Sequence, residues 1–103
     1  MKTANNQQFL QKVLKVANHQ GLHARVATMM VQALQQYASK VTVMKDGVEV
    51  DARSVLGLLL LAATHGSEIL VKAQGPDCEQ VLDQLARLIE HDDGELIGSK
   101  ASS

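Results

Sequence analysis

Apolar positions along the chain change their spacing several times, and each change marks an element. From Leu10 the residues alternate, with Lys12, Leu14 and Val16 on one side, which predicts a strand. After a polar loop, apolar residues recur every three or four positions, which is the stripe of an amphipathic helix. The members of this stripe are Ala27, Met30, Val31, Leu34 and Ala38.

The middle of the chain predicts a hairpin and a short helix. Residues 40–44 and 48–51 have the composition of strands, and Asp46-Gly47 between them is a pair typical of tight hairpin turns. Ser54 then precedes the apolar run VLGLLLLAA, where its hydroxyl can cap a short helix.

One more strand and one more helix follow. The strand is predicted over residues 68–73, after the Gly66 turn. Asp77 and Gln80 have the spacing of a helix N-cap and its reciprocal partner, so we expect a capping box at the start of the last helix. The apolar face of that helix is formed by Val81, Leu82, Leu85 and Leu88.

The resulting element order is β-α-β-β-α-β-α. A single four-stranded sheet with helices covering one face is the economical α+β arrangement for this order. A chain of 103 residues suffices for one such core. We expect one domain over residues 10–91, a mobile N-terminal tail over 1–9 and a flexible C-terminal tail over 92–103.

Composition and charge exclude several classes of function. Ten Lys and Arg against eleven Asp and Glu give a net charge of −1, without the basic footprint of a nucleic-acid or membrane binder. The single Cys78 cannot form an intramolecular disulfide. The first residues lack the apolar core of a signal peptide, and the longest apolar run is too short to cross a bilayer. We therefore expect a cytoplasmic protein without membrane insertion.

The stretch Gly21-Leu22-His23-Ala24-Arg25 lies where a loop passes into the first helix. If the helix begins near Ala24, the N–H groups of Ala24, Arg25 and Val26 lack intrahelical acceptors. Together with the helix dipole and the Arg25 cation they favour an anion such as phosphate. An imidazole beside them can act as a nucleophile that accepts a phosphoryl group. The alternative is that His23 is an ordinary solvent-exposed loop residue. The aliphatic part of the Arg25 side chain would then merely cover apolar surface.

These residues, followed by an amphipathic helix, resemble the histidine phosphocarrier protein HPr family of the bacterial phosphotransferase system. The likeness runs from about Leu10 to Glu90 and includes Asp46-Gly47 and the stretch Arg53 to Gly57. It implies an open-faced β-sandwich, a four-stranded antiparallel sheet with three helices on one face. It also implies a monomeric phosphoryl carrier rather than an enzyme. No cofactor or metal is expected, since Gly21 and the loop argue against a shared metal site for His19 and His23.

The resemblance also implies roles for particular residues. His23 would accept a phosphoryl group on Nδ1 from phosphorylated enzyme I and pass it to a downstream permease or relay protein, as in sugar transport. Arg25 would lie beside the phosphoryl group and stabilise its negative charge. Ser54 matches a serine that a kinase phosphorylates in some relatives, although helix capping alone also explains it. The implied partner surface consists of Val26, Met29, Val55, Leu56 and Leu59, although burial alone also explains most of the leucines.

Four positions depart from the family pattern and suggest a divergent member. Val26 stands where a proline is usual, Gln32 and Gln35 stand where studied carriers have lysines, and Ala62 replaces a glycine. Loss of the lysines would weaken electrostatic steering toward an acidic partner. The alternative function is a regulatory docking module that binds a kinase, transcription factor or metabolic enzyme, gated by phosphorylation of Ser54. The sequence leaves open which branch a carrier would serve: sugar, nitrogen-linked or dihydroxyacetone kinase.

Overall fold

The computed structural model describes residues 8–91, which form a four-stranded antiparallel sheet and three helices. The strands are β1 (Phe9–Lys15), β2 (Lys40–Lys45), β3 (Val48–Asp51) and β4 (Glu68–Gln74). The helices are α1 (Ala24–Leu34), α2 (Val55–Leu60) and α3 (Cys78–Glu90). The predicted element order and the α+β fold class are therefore confirmed.

The sheet has one buried face and one open face. Its strand order is β1-β4-β2-β3, and each neighbouring pair is antiparallel. In the central strand β4, Ile69, Val71 and Ala73 are buried, whereas Leu70 and Lys72 between them are partly exposed. Because successive side chains of a strand point to opposite faces, the helices cover one side of the sheet and leave the other open.

The hairpin between β2 and β3 turns on two residues with positive φ. Asp46 has φ 52° and Gly47 has φ 82°, as a two-residue type I′ turn requires. Lys45 pairs directly with Val48 across the turn. The hairpin predicted from Asp46-Gly47 is confirmed.

Several element bounds differ slightly from those predicted. β1 begins at Phe9, one residue before the predicted start of the strand at Leu10. α1 ends at Leu34, and the exposed Ala38 therefore lies beyond the helix whose stripe it was expected to share. Residues 1–7 and 92–103, which hold most of the two predicted tails, lie outside the described residues.

Arg53 holds the end of α1 against the beginning of α2. Its guanidinium donates hydrogen bonds to the carbonyl oxygens of Leu34 at 3.0 Å, Tyr37 at 2.9 Å and Ser39 at 3.0 Å. A cation at this end also interacts favourably with the helix dipole. Since Arg53 immediately precedes the cap of α2, the start of α2 lies beside the end of α1.

The predicted capping box of α3 is wrong. Asp77 occupies the N-cap position but makes no side-chain capping bond. Its carboxylate instead accepts the N–H groups of Ala38 and Ser39, both at 2.9 Å, and the Ser39 hydroxyl at 2.5 Å. These bonds, led by the one from the Ser39 hydroxyl, lower the pKa of Asp77 below its ordinary 3.8. The carboxylate thus ties the loop before β2 to α3, because three nearby donors outcompete the helix's own amides.

Candidate functional site

His23 is the residue that caps α1. Its backbone is extended, with φ −94° and ψ 179°, and its carbonyl oxygen accepts the N–H of Ala27 at 2.9 Å. Its imidazole Nδ1 accepts the N–H of Arg25 at 3.2 Å. A side-chain acceptor here satisfies one of the N–H groups that a helix start leaves unpaired. The predicted helix start near Ala24 is confirmed, and the half-buried imidazole is part of the helix end.

Gly21 fixes the loop that carries His23 against the segment after α2. It has φ 73°, and a Cβ at this position would lie 2.2 Å from the carbonyl oxygen of Ala63 and 2.9 Å from Thr64 Cα. Only glycine tolerates so close an approach to backbone. The next residue, Leu22, donates its N–H to the same Ala63 oxygen at 2.9 Å and is buried. The reactive loop is therefore held by main-chain contacts.

The loop is also bonded internally. Asn18, a buried polar residue, accepts the Gly21 N–H through its carbonyl oxygen at 2.9 Å. Its side-chain oxygen accepts the Gln20 N–H at 2.8 Å. A buried side chain that bonds to its own loop restricts the loop conformation. His23 is thus positioned by a rigid turn before it and by the helix after it.

The contact with Arg25 indicates the tautomer of the neutral imidazole. An acceptor nitrogen carries a lone pair and no proton, so the hydrogen bond places the proton of the neutral ring on Nε2. Nδ1 is then the ring nitrogen that carries the lone pair. The Arg25 amide that touches it is one of the three N–H groups predicted to bind an anion, and those of Ala24 and Val26 have no acceptor within the helix.

The electrostatics of this helix end favour a negatively charged group. Unpaired N–H groups and the helix dipole give the start of α1 about half a positive charge. Arg25 adds a full charge on the second residue of α1, and its side chain is exposed. No acidic residue lies in the first turn of α1. A phosphoryl group on Nδ1 would meet attraction from each of these sources.

The implied partner surface is only partly at the protein surface. Val26 is 3% exposed and packs in the core, so its side chain cannot provide the contact expected of it. Met29, Val55 and Leu59 are half-buried. Leu56, by contrast, is 74% exposed.

Leu60, which is not among the residues of the implied partner surface, is 78% exposed. All but one of the six residues of α2 are large and apolar, so periodicity does not show which side is buried. The structure buries Leu58 and turns Leu56 and Leu60 outward. Leu56 and Leu60 share one helix face because they are four residues apart, but Val55 and Leu59 have the same spacing, so the sequence does not show which pair is exposed.

Ser54 caps α2 as predicted. Its Oγ accepts the N–H of Gly57 at 3.0 Å, and the side chain is half-buried. This bond explains the serine without any modification, and its role as a phosphosite stays a prediction.

The remaining histidines lie at the surface. His19 packs edge-to-face against His65, with ring centroids 5.2 Å apart. Among residues 8–91, no three His, Cys, Asp or Glu side chains are grouped as a metal site. Nor does any helix in this part of the chain combine the length and apolar content needed to span a bilayer.

The fold and this site define a class of protein. A helix-capping imidazole with an unprotonated Nδ1, held rigidly beside positive charge at the surface, is arranged to take up an anionic group covalently and pass it on. The class is that of small group carriers.

Comparison with known proteins gives the family. Residues 10–91 match the family model described as "PTS HPr component phosphorylation site". The phosphocarrier protein HPr of Treponema pallidum (strain Nichols) is 36% identical over 80 residues, which cover 78% of this chain and 91% of that protein. The crystal structure of a phosphocarrier protein HPr from Bacillus anthracis str. Ames superposes with a TM-score of 0.75 at 34% identity. That match covers 79% of this chain and 96% of the other.

A second kind of relative is also similar. The HPr-like protein Crh of Bacillus subtilis (strain 168) is 36% identical over 84 residues, covering 82% of this chain and 99% of that protein. This chain belongs to the HPr family of phosphotransferase-system phosphocarriers. Its members carry phosphoryl groups and are not enzymes, and the same holds for this protein.

Proposed function

We propose that His23 is the residue through which this phosphocarrier works. It accepts a phosphoryl group on Nδ1 from phosphorylated enzyme I and passes it to a downstream component of the phosphotransferase system. The observation that carries this proposal is the hydrogen bond from the Arg25 N–H to Nδ1 at 3.2 Å. It keeps the nucleophilic lone pair on the nitrogen that faces the positively polarised helix start.

In the transfer step one bond to phosphorus forms as another breaks. The Nδ1 lone pair forms a bond to phosphorus while the bond between phosphorus and the donor protein breaks. The Arg25 N–H leaves Nδ1 for a phosphoryl oxygen as this bond forms, because one lone pair cannot serve both, and the half-buried ring then releases its Nε2 proton to solvent. Transfer to the acceptor reverses these steps.

Arg25 and the first amides of α1 serve as the phosphate-binding groups. The Arg25 guanidinium provides a charge-assisted contact, which is worth about 1.5–3 kcal/mol. The N–H groups of Ala24, Arg25 and Val26 supply further donors at the helix start. The protein acts as a cytoplasmic monomer, with residues 10–91 as the carrier domain between two tails. Enzyme I and a downstream permease or relay protein are its partners.

A second candidate function is regulatory docking, and the similarity to Crh favours it. A solved structure of Crh from Bacillus subtilis, 38% identical with a TM-score of 0.63 over 77% of this chain and 91% of that one, is described as a catabolite repression protein and as a swapped dimer. Under this candidate the chain would bind a regulator, gated by phosphorylation of Ser54. The intact pair of His23 and Arg25 favours the carrier, since a docking module has no need of a nucleophile.

The test is incubation with phosphoenolpyruvate and a panel of bacterial enzymes I, followed by intact-mass measurement. The carrier gains one acid-labile phosphoryl group, which His23→Ala abolishes. Arg25→Ala slows the gain without a comparable fall in melting temperature. Undiminished labelling of His23→Ala would refute the proposal. An ATP-dependent kinase that labels Ser54, combined with no gain from any enzyme I, would establish the docking function instead.

A further inference from the structure

The open face of the sheet carries a hollow of about 260 Å³ that lies apart from the candidate site. All four strands contribute to it, and three of its side chains are charged. Its aromatic and polar side chains are those of Phe9 on β1, Lys72 and Gln74 on β4, Lys40 and Thr42 on β2, and Glu49 on β3. Because the three helices cover the other face of the sheet, a molecule bound here leaves His23 accessible.

Phe9 forms an aromatic wall at the edge of this hollow. The chain has no other phenylalanine and no tryptophan, and Phe9 lies outside the hydrophobic core with 55% of its surface exposed. A single exposed apolar side chain is common on protein surfaces and indicates nothing alone. Beside a charged hollow, however, a flat ring is a platform on which a nucleobase can stack.

Two lysines give the hollow its positive charge. Lys40 of β2 lies directly opposite Gln74 of β4, and Lys72, two residues before Gln74, points to the same face of the sheet. Among residues 8–91, Lys40 has no ion-pair partner. Lysine ammonium groups bind phosphate as point charges, so two of them in one hollow favour a phosphorylated ligand.

The acidic side chain of the hollow, Glu49, competes for Lys72. Its Oε2 lies 3.8 Å from Lys72 Nζ, which is longer than a hydrogen bond, and both side chains remain partly exposed, so the pair is a weak one. An approaching phosphate is attracted by the lysines and repelled by this carboxylate, and inorganic phosphate alone should therefore bind weakly. A ligand that also stacks on Phe9 gains an attraction that Glu49 does not oppose.

The size of the hollow limits the ligand. Small-molecule sites usually have about 300–1,000 Å³, and 260 Å³ is slightly below this range. The hollow therefore suits one nucleotide that lies partly in solvent, rather than a dinucleotide. A polynucleotide is disfavoured as well, because a chain with a net charge of −1 has no basic stripe along which a strand could lie.

We propose that this hollow binds a free mononucleotide, with the base stacked on Phe9 and the phosphate beside Lys40 and Lys72. The Thr42 hydroxyl, which lies opposite Lys72 across the strands, can donate to or accept from the ribose. Binding here requires no phosphoryl chemistry at His23, and it gives the protein a second ligand on the opposite side of the sheet.

The experiment follows the amide NMR shifts of the full, nitrogen-15-labelled chain during titration with adenosine 5′-monophosphate. We expect saturable shifts around Phe9, Thr42 and Lys72, which His23→Ala retains. The dissociation constant should be about tenfold lower than for adenosine, which lacks the phosphate, or for ribose 5-phosphate, which lacks the base. A single-stranded oligoadenylate should bind no more tightly than the monophosphate.

Variants test each wall of the hollow. Phe9→Leu, which keeps an apolar side chain without the ring, should raise the dissociation constant about fivefold. Lys72→Gln should raise it about two- to fivefold, as expected for an exposed ionic contact, and Glu49→Gln should lower it by a similar factor because the competing carboxylate is gone. Lys12→Gln is the matched control, since Lys12 lies opposite the buried Val71 and thus on the other face. It removes the same charge and should change the dissociation constant less than about twofold.

Several results would overturn the inference. If no saturable shifts appear, or if adenosine monophosphate and ribose 5-phosphate bind equally, the hollow does not recognise a nucleotide. Shifts confined to the start of α1 and abolished by His23→Ala would mean that the phosphate binds there instead. Tighter binding of the oligoadenylate than of the monophosphate would identify a nucleic-acid surface. Equal effects of Lys72→Gln and Lys12→Gln would show that only net charge matters.

Discussion

At the scale of single residues, Ala62 is the clearest point of backbone strain. It follows α2 with φ 51°, in the left-handed region that costs a residue with a Cβ roughly 1–2 kcal/mol. Ala62→Gly removes this cost but adds about 0.4–1 kcal/mol of unfolded-state entropy. We expect a net rise of about 0–1.6 kcal/mol in the free energy of unfolding, measured by urea denaturation.

The control for Ala62→Gly is the same change at Ala86, in the regular part of α3. There it should lower the free energy of unfolding by about 1 kcal/mol. If Ala62→Gly destabilises the protein as much as Ala86→Gly, the left-handed conformation of Ala62 is contradicted.

Val26 offers a second test at this scale. The first intrahelical bond of α1 runs from the Ala27 N–H to His23, so proline at position 26 removes no bond within the helix. We expect Val26→Pro to raise the free energy of unfolding by about 0.4–1 kcal/mol, because the unfolded chain loses conformational freedom.

The rate of phosphoryl transfer to Val26→Pro then decides the role of the missing N–H. An unchanged or faster rate means that the Val26 N–H does not bind the phosphoryl group. A slower rate means that the Val26 N–H does bind it. A clear loss of stability would mean that lost core packing of the buried Val26 side chain outweighs this entropic gain.

At the scale of elements, Asp77 joins α3 to the loop before β2. Its folded pKa lies below the ordinary 3.8, chiefly because the Ser39 hydroxyl and the Ala38 N–H donate to the carboxylate. A lowered pKa contributes stability that is present above the unfolded-state value and is lost as pH falls through the folded value. The free energy of unfolding should therefore fall as pH drops below about 4.

Asp77→Asn should be less stable at neutral pH and should lose less stability on acidification. The comparison is made by urea denaturation at pH values on both sides of 4. Ser39→Ala, which removes one donor and leaves the carboxylate, should show an intermediate acid dependence. If Asp77→Asn and the unmodified chain lose the same free energy of unfolding on acidification, Asp77 is not the cause of that loss.

The elements also show what the sequence can predict. The Ser54 cap, the Asp46-Gly47 turn and the start of α1 depend on neighbours within four residues, and all three were predicted correctly. Asp77 was not, because its partners Ala38 and Ser39 are 39 and 38 residues away in the chain. Local spacing carries no information about such donors.

The candidate site likewise has some features that the local sequence predicts and others that it does not. The position of His23 and Arg25 at a helix start follows from the local pattern. Which leucines of α2 are exposed does not, because that depends on how α2 packs against α1 and β3. The local pattern therefore does not predict that Leu60 is exposed, and the resemblance does not predict that Val26 is buried.

At the scale of the whole molecule, the net charge of −1 matters less than where the charges lie. Gln32 and Gln35 stand where lysines would steer an acidic partner toward His23. The double variant Gln32→Lys/Gln35→Lys should accept phosphate faster at low salt from an enzyme I with an acidic surface. This gain should disappear at high salt, because screening removes long-range steering.

The control for this gain is a pair of lysines on the open face of the sheet, at Gln11 and Thr42, which changes the net charge equally. Stopped-flow transfer rates at low and high salt give the comparison. An equal gain in the control would assign the effect to net charge rather than to the surface around His23.

The central claim is that Nδ1 of His23 carries the phosphoryl group. The most direct measurement is an NMR spectrum of the nitrogen-15-labelled chain after reaction with phosphoenolpyruvate and enzyme I, which resolves the ring nitrogens of each histidine. We expect phosphorus on Nδ1 of His23 and unmodified rings for His19, His65 and His91. Phosphorus on Nε2 of His23, or on any other histidine, would contradict it.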